Sequence, residues 1–170
     1  MNKKNISLIG FMGTGKTTIG KILAERIGYK FIDVDEYIVK TEGKPINEIF
    51  EKYGEDYFRD LETKAIKKIL KEENQVISTG GGAVLREDNR KALLAGSFVV
   101  ALKASPRNIY FRLKDCDDRP LLKGAHPERT ISRLLHKRFR YYNQNHISVA
   151  TDKLSVEEII EAIIDEINKK

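Results

Sequence analysis

The segment Gly10-Phe11-Met12-Gly13-Thr14-Gly15-Lys16-Thr17 carries the most pointed chemistry in the chain. Its pattern, G-x-x-x-x-G-K-[ST], builds a cradle for a nucleoside triphosphate when a strand precedes it and a helix follows. Glycine lets backbone N–H groups turn inward and approach phosphate oxygens with no Cβ in the way. A helix opening near Lys16 adds the positive end of its dipole. Gly13, Thr14, Gly15, Lys16, Thr17 and Thr18 are therefore the candidate nucleotide-binding residues. Lys16 is expected to bridge the β- and γ-phosphates, and the Thr17 hydroxyl to join a magnesium shell. The bland alternative is a chance glycine-rich turn. The motif by itself names no acceptor for the phosphoryl group, because mechanical and regulatory nucleotidases use it too.

Three further groups could serve an acceptor. Asp33-Val34-Asp35 closes the second apolar run, and strand alternation places its two carboxylates on one side of the strand end. One would hold the water shell of magnesium; the other would hydrogen-bond an acceptor hydroxyl and take its proton. Alternatively, one of them merely caps the helix that begins at Glu36. Arg59 follows Phe58 and stands three residues before Glu62, a spacing that reads first as a surface ion pair of little worth. Gly80-Gly81-Gly82 follows an apolar run directly. Three adjacent glycines are entropically costly, which suggests backbone held close to a ligand rather than a slack loop.

The elements that must position these groups are legible as an alternation of strands and helices. Ile6–Ile9, Phe31–Val34, Gln75–Ser78, Ser97–Leu102 and His146–Ala150 read as strands. Helical spacing covers Thr17–Ile27, Asp35–Lys40, a long stretch from about Asn47 to Lys71 interrupted near Gly54, Arg86–Ala95, a segment from Pro106 to about Leu113, Glu128–Asn143 and Ser155–Asn168. Ser155 with Glu158 resembles a capping box. The expected fold is α/β: three layers, a five-stranded parallel sheet with helices on both faces, plus lid and acceptor-binding helices. Residues 1–170 are expected to form one domain, with an acceptor-binding region at about 33–62 and a lid at about 113–125.

Composition narrows the class. A chain of 170 residues, 41% hydrophobic and 33% charged, suits a globular domain and leaves little room for motor or regulatory domains. The apolar run Phe98–Leu102 is far too short to cross a bilayer, and Ile6–Met12 behind Lys3 and Lys4 lacks a signal-peptide cleavage site. Cys116 is the sole cysteine, which excludes an internal disulfide and fits a reducing cytoplasm. His126, His136 and His146 show no metal-ligand spacing and read as surface or helix-end residues. A net charge of +6 suits either nucleic acid or a pocket that holds several phosphates and a carboxylate.

In order, Gly10–Thr17, Asp33-x-Asp35, Phe58-Arg59, Gly80-Gly81-Gly82, Arg119-Pro120-Leu121-Leu122 and Arg138-x-x-x-Tyr142 resemble the shikimate kinase family of small P-loop enzymes. The likeness spans nearly the whole chain, and the length is similar to that of single-domain members. It implies ATP-dependent phosphorylation of the shikimate 3-hydroxyl, giving 3-phosphoshikimate and ADP in aromatic compound biosynthesis. It also implies magnesium as cofactor, ATP and shikimate as small-molecule partners, no nucleic acid or membrane, a monomer, and a cytoplasmic location. By the same resemblance Asp35 binds shikimate hydroxyls and acts as base, Arg59 and Arg138 hold the carboxylate, and the Gly80–Gly82 backbone meets the ring. Arg119 reaches the transferring phosphate from the lid beside catalytic Lys16, Asp33 supports magnesium through water, and Arg112 packs on adenine.

Two departures from the family pattern stand out. Arg138-Phe139-Arg140-Tyr141-Tyr142 replaces the frequent Arg-x-Pro-x-Tyr, which leaves the helix end less fixed and makes Arg140 a second candidate for the carboxylate. Asp115-Cys116-Asp117-Asp118 makes the lid unusually acidic; those acids either hold an open lid in solution or keep it soluble, and the second is the expected role. The competing assignments are a kinase for gluconate or a nucleoside monophosphate and, from another class, a nucleotide-gated module that binds RNA.

Overall fold

Alternation along the strands divides the apolar side chains between two faces of one sheet. The computed structural model describes residues 4–114 and 126–169; Arg119, the Arg119–Leu122 run and the acidic 115–118 segment lie outside them. The strands are β1 (Asn5–Ile9), β2 (Lys30–Asp33), β3 (Gln75–Ser78), β4 (Phe98–Lys103) and β5 (Ile147–Ala150). They pair in parallel as a 5-stranded sheet in the order β2-β3-β1-β4-β5. The helices are α1 (Lys16–Ile27), α2 (Val34–Glu42), α3 (Ile46–Ile69), α4 (Glu87–Gly96), α5 (Pro106–Leu113), α6 (Pro127–Tyr142) and α7 (Val156–Asn168), with a 3-10 turn at Ala83–Leu85.

Ile6 and Leu8 of β1, Val76 of β3 and Phe98, Val100 and Leu102 of β4 pack with Ile19 and Leu23 of α1 and Ile159, Ile160 and Ile163 of α7. Their alternates Ile9, Ile77, Val99 and Ala101 pack with Ile49, Phe58 and Ile66 of α3, Leu93 of α4, Ile109 of α5 and Ile131 of α6. Both faces of the central strands are thus covered, as parallel strands require. Each fully buried Ile or Leu contributes roughly 1.5–3 kcal/mol.

The strand order makes the site. From β1 the chain passes to β2 on one side, returns to β3, then crosses to β4 on the other. The carboxyl end of β1 is the point where the path diverges, the place where open α/β sheets bind ligands. Asp33 pairs in register with Ser78, and Ser78 with Leu8, so three strand ends open side by side. Thr79 ties the β3 loop to β1, its N–H and its hydroxyl both donating to the Leu8 carbonyl at 3.1 Å.

The structure corrects the sequence reading at several points. Strand β2 stops at Asp33 rather than Val34, because the Asp33 side chain caps α2 by accepting from the N–H groups of Asp35 and Glu36. Asp33 and Asp35 are therefore not related by strand alternation; Asp35 sits in the first turn of a helix. Helix α6 starts at Pro127, where a proline at the first position costs no hydrogen bond. Its carboxyl end is firmly held despite the missing proline: Asn145 Nδ2 donates to Tyr142 O at 2.7 Å, and Asn143 N–H to Phe139 O at 3.1 Å. The interruption at Gly54 is present as φ 82°, ψ 173° within α3, and the capping box at Ser155 and Glu158 is complete. His146 is not a plain surface residue, for its Nδ1 accepts from Val99 N–H at 2.9 Å and its ring stacks on Phe98.

Gly10 joins β1 to the cradle at φ +148°, and a Cβ there would fall 2.4 Å from the Leu102 carbonyl oxygen of β4. That neighbour is backbone and cannot turn aside. Gly10→Ala is expected to destabilise the fold by about 1–3 kcal/mol, the usual cost of overpacking, and to weaken nucleotide binding. Urea unfolding and ADP titration check both; a variant of wild-type stability would contradict the packing described.

Candidate active site

The phosphate loop is held by its own side chains. Gly15 adopts φ 94° as the N-cap of α1, a left-handed conformation that glycine takes at little cost. The Thr14 hydroxyl is buried and donates to Phe11 O at 2.8 Å, so this side chain shapes the loop. Lys16 is 8% exposed, and its Nζ donates to Gly10 O and Phe11 O, both at 2.9 Å. The ammonium thus lies over the concave side of the loop. Thr17 and Thr18 are exposed in the first turn of α1.

Asp33 performs two tasks. Its Oδ1 caps α2, while its Oδ2 accepts the Thr17 hydroxyl at 3.1 Å. The helix-cap role weighed for one of the two aspartates belongs to Asp33. Thr17 and Asp33 together offer hard oxygen donors beside the triphosphate cradle. Among the described residues no group of three or more His, Cys, Asp or Glu could hold a metal on its own. That donor set fits magnesium, which keeps several waters and takes one or two protein groups plus phosphate oxygens.

A second cluster is built around Arg59 and Glu62 of α3. Phe58 anchors this part of the helix against Phe50 at 4.7 Å. Arg59 is 14% exposed and donates from Nη1 to Glu62 Oε2 at 2.9 Å and from Nη2 to Glu55 Oε1 at 3.2 Å. Glu62 is 0% exposed. Burial pushes its carboxyl up from the ordinary 4.5 to about 7, with Arg59 pulling it down and Asp35 adding to the rise. Burial alone would lower the Arg59 value, but Glu62 and Glu55 outweigh it and raise it above that of ordinary arginine.

A side chain at any of the three adjacent glycines would meet groups of the site. A Cβ at Gly82 would sit 2.3 Å from Arg59 Nη2, and one at Gly80 would sit 2.9 Å from both Asp35 Oδ1 and Glu62 Oε1. At Gly81 it would approach Met12 N to 3.2 Å. The glycines therefore let Arg59, Glu62, Asp35 and the phosphate loop converge. Tyr142, nearly buried, donates its hydroxyl to Gly81 O at 2.7 Å and fixes the loop against α6. Burial raises the Tyr142 phenol above its ordinary value, although Arg138 and Arg59 both draw it down.

Arg138 and Arg140, near the carboxyl end of α6, separate clearly. Arg138 lies over the Phe11 ring of the phosphate loop, 5.6 Å from its centre. Arg140 instead donates to the Tyr141 hydroxyl at 2.7 Å and stacks on that ring. Only Arg138 of the two borders the loop. At the opposite end of the cleft, Arg112 donates to Gly13 O at 3.1 Å and to the Thr151 hydroxyl and carbonyl at 3.0 and 2.8 Å. It ties the phosphate loop to the chain just after β5.

Glu62 and Tyr142 are the residues that motif reading undervalued. The signal for Glu62 was present: Phe58, Glu62, Ala65, Ile66 and Ile69 follow helical spacing on one buried face. A carboxylate on an apolar stripe is rarely a plain surface partner.

Comparison with known proteins agrees with this geometry. The shikimate kinase family matches residues 12–168 of the chain. A shikimate kinase from Thermodesulfovibrio yellowstonii is 48% identical over 163 residues, covering 96% of this chain and 94% of that protein. One from Caldicellulosiruptor bescii is 47% identical over 161 residues, covering 95% and 94%. The solved structure of shikimate kinase from Acinetobacter baumannii in complex with shikimate superposes with a TM-score of 0.92 at 34% identity, covering 99% of this chain and 94% of that one. The chain belongs to the shikimate kinase family.

Proposed function

We propose that this protein transfers the γ-phosphoryl group of ATP to the 3-hydroxyl of shikimate, yielding 3-phosphoshikimate and ADP. The observation that carries the reading is the convergence of Arg59, Asp35 and the triple glycine beside the phosphate loop. A planar carboxylate is best gripped by guanidinium groups, and Arg59 and Arg138 supply two. Asp35 is suited to accept the proton of the attacking hydroxyl. The backbone of Gly80–Gly82 lets a cyclic alcohol lie against the loop.

Phosphoryl transfer asks a protein mainly for alignment and for positive charge around the equatorial oxygens. Lys16 and the N–H groups at the start of α1 supply that charge, with Gly13, Gly15, Thr17 and Thr18 around the phosphates. Thr17 and Asp33 would hold magnesium, directly or through water, and the ion when bound offsets phosphate charge. Arg112 would border the adenine, and Arg119 is assigned to the transferring phosphate by resemblance. The reading extends to a monomer of one kinase domain, acting in the cytoplasm on two small anions. No helix among the described residues is long and apolar enough to cross a membrane.

Two substitutions test the acceptor grip. Arg59→Ala is expected to lower kcat/KM for shikimate by on the order of 30- to 700-fold, equivalent to about 2–4 kcal/mol for one partner of a buried charge-assisted contact. ADP affinity should stay within about twofold of wild type by calorimetry, since truncating a rim-distant side chain leaves the cradle intact. Unchanged shikimate turnover would reject the assignment. Arg138→Ala should raise the KM for shikimate by on the order of tenfold or more, whereas Arg140→Ala, removed from the loop, should change it by less than about threefold. Steady-state kinetics at saturating ATP distinguish them, and the reverse ranking would make Arg140 the carboxylate ligand.

A further inference from the structure

Glu62 is built unlike an ordinary ion-pair partner. One oxygen, Oε2, accepts from Arg59, while Oε1 is buried with no hydrogen-bond partner among the described residues. That bare oxygen and Asp35 Oδ1 both point at the space beside Gly80. A buried carboxylate with an unsatisfied oxygen facing a second carboxyl group is costly. A carboxylic acid there removes the repulsion and keeps one oxygen for Arg59. The groups facing Glu62 are Arg59 and, through it, Glu55 on its own helix, Asp35 from α2, and Arg86 from the turn before α4. Helix α6 adds Tyr142, which is within electrostatic range of Arg59 and Arg138.

We propose that Glu62 is a positioning residue whose proton sets the strength of the acceptor grip: neutral Glu62 leaves the Arg59 charge available to the acceptor carboxylate, and ionised Glu62 competes for it. The inference rests on the shikimate reading above and concerns how that site binds. In the ionised state the Arg59 charge is met internally by Glu62 and Glu55, and the incoming anion is repelled. In the neutral state Arg59 still donates to Glu62 Oε2 and keeps its orientation. Acceptor binding and protonation of Glu62 are therefore linked, each strengthening the other.

The sign follows from the direction of the shift. Burial holds the Glu62 carboxyl near 7 in the folded protein against 4.5 ordinarily. Neutral Glu62 dominates at pH 6 and falls to about one-tenth at pH 8, so acceptor affinity should drop about tenfold between them. Stability should fall in the same direction, because between about 4.5 and 7 the folded form holds a proton that the unfolded chain has released. A rigid ion pair that merely orients Arg59 makes the opposite prediction, with affinity lost as the pH falls below 7.

Calorimetric titration of the unmodified protein with shikimate, in two buffers of different ionisation enthalpy, reads the linkage directly. The expected result is uptake of close to about one proton per shikimate at pH 8 and little at pH 6, with KM for shikimate about tenfold higher at pH 8 and KM for ATP unaltered. Glu62→Gln fixes the neutral form and should abolish both the uptake and the pH dependence of KM. Absent uptake at pH 8, uptake that persists in Glu62→Gln, or a KM that falls as pH rises would each overturn the proposal while leaving shikimate as substrate. Failure of shikimate to bind or turn over at any pH, with ADP binding intact, would overturn the acceptor reading and this inference together. The proton count in the unmodified protein decides the matter even if the glutamine variant does not fold.

Discussion

A charged pair that must be buried and yet remain useful governs the proposed acceptor side of this molecule. Arg59 and Glu62 lie one helical turn apart on α3, and the same turn must also pack Phe58 and Ile66 into the core. Burying such a pair gains little net stability once desolvation is counted. The pair dictates much of its surroundings nonetheless. Gly82 lacks a side chain because the guanidinium occupies that volume, and Gly80 lacks one because two carboxylates do. Tyr142 then clamps the glycine loop from the other side.

The sheet supplies the second half of the arrangement. Three neighbouring strand ends deliver Asp33, the Gly80–Gly82 loop and the Gly10–Lys16 cradle to one edge, in register. Helix α1 aims its amino end and Lys16 at the same place. Asp33 links the two sites mechanically, since one oxygen caps the helix that carries Asp35 and the other holds Thr17. Asp33 thus contacts both α2 and the threonine proposed to join a magnesium shell.

Much of this was readable from residue order alone, for identifiable reasons. The strand β3 and the helix α5 begin and end as expected, because a glycine run and a Ser-Pro start mark them. The kink at Gly54 followed from one glycine inside a helical pattern. The end of β2 was misjudged by a residue, and with it the geometry of Asp33 and Asp35, because an aspartate that ends a strand and one that caps a helix look alike until the hydrogen bonds are seen. The worth of Glu62 was hidden for a different reason. An Arg–Glu spacing of three is normally a surface feature, and only the apolar stripe through Ala65 and Ile69 turns it inward. Which α6 arginine borders the phosphate loop depended on the direction in which each side chain leaves the helix, and spacing does not specify that.

The central claim is that the two halves of the cleft hold an anionic alcohol and a triphosphate so that phosphorus passes between them without reaching water. Phosphorus NMR of the protein with ATP, magnesium and shikimate tests it most directly. The account predicts one new phosphate monoester resonance growing in step with ADP and no rise in inorganic phosphate. ADP accompanied by inorganic phosphate alone, or no loss of ATP when shikimate is added, would contradict it.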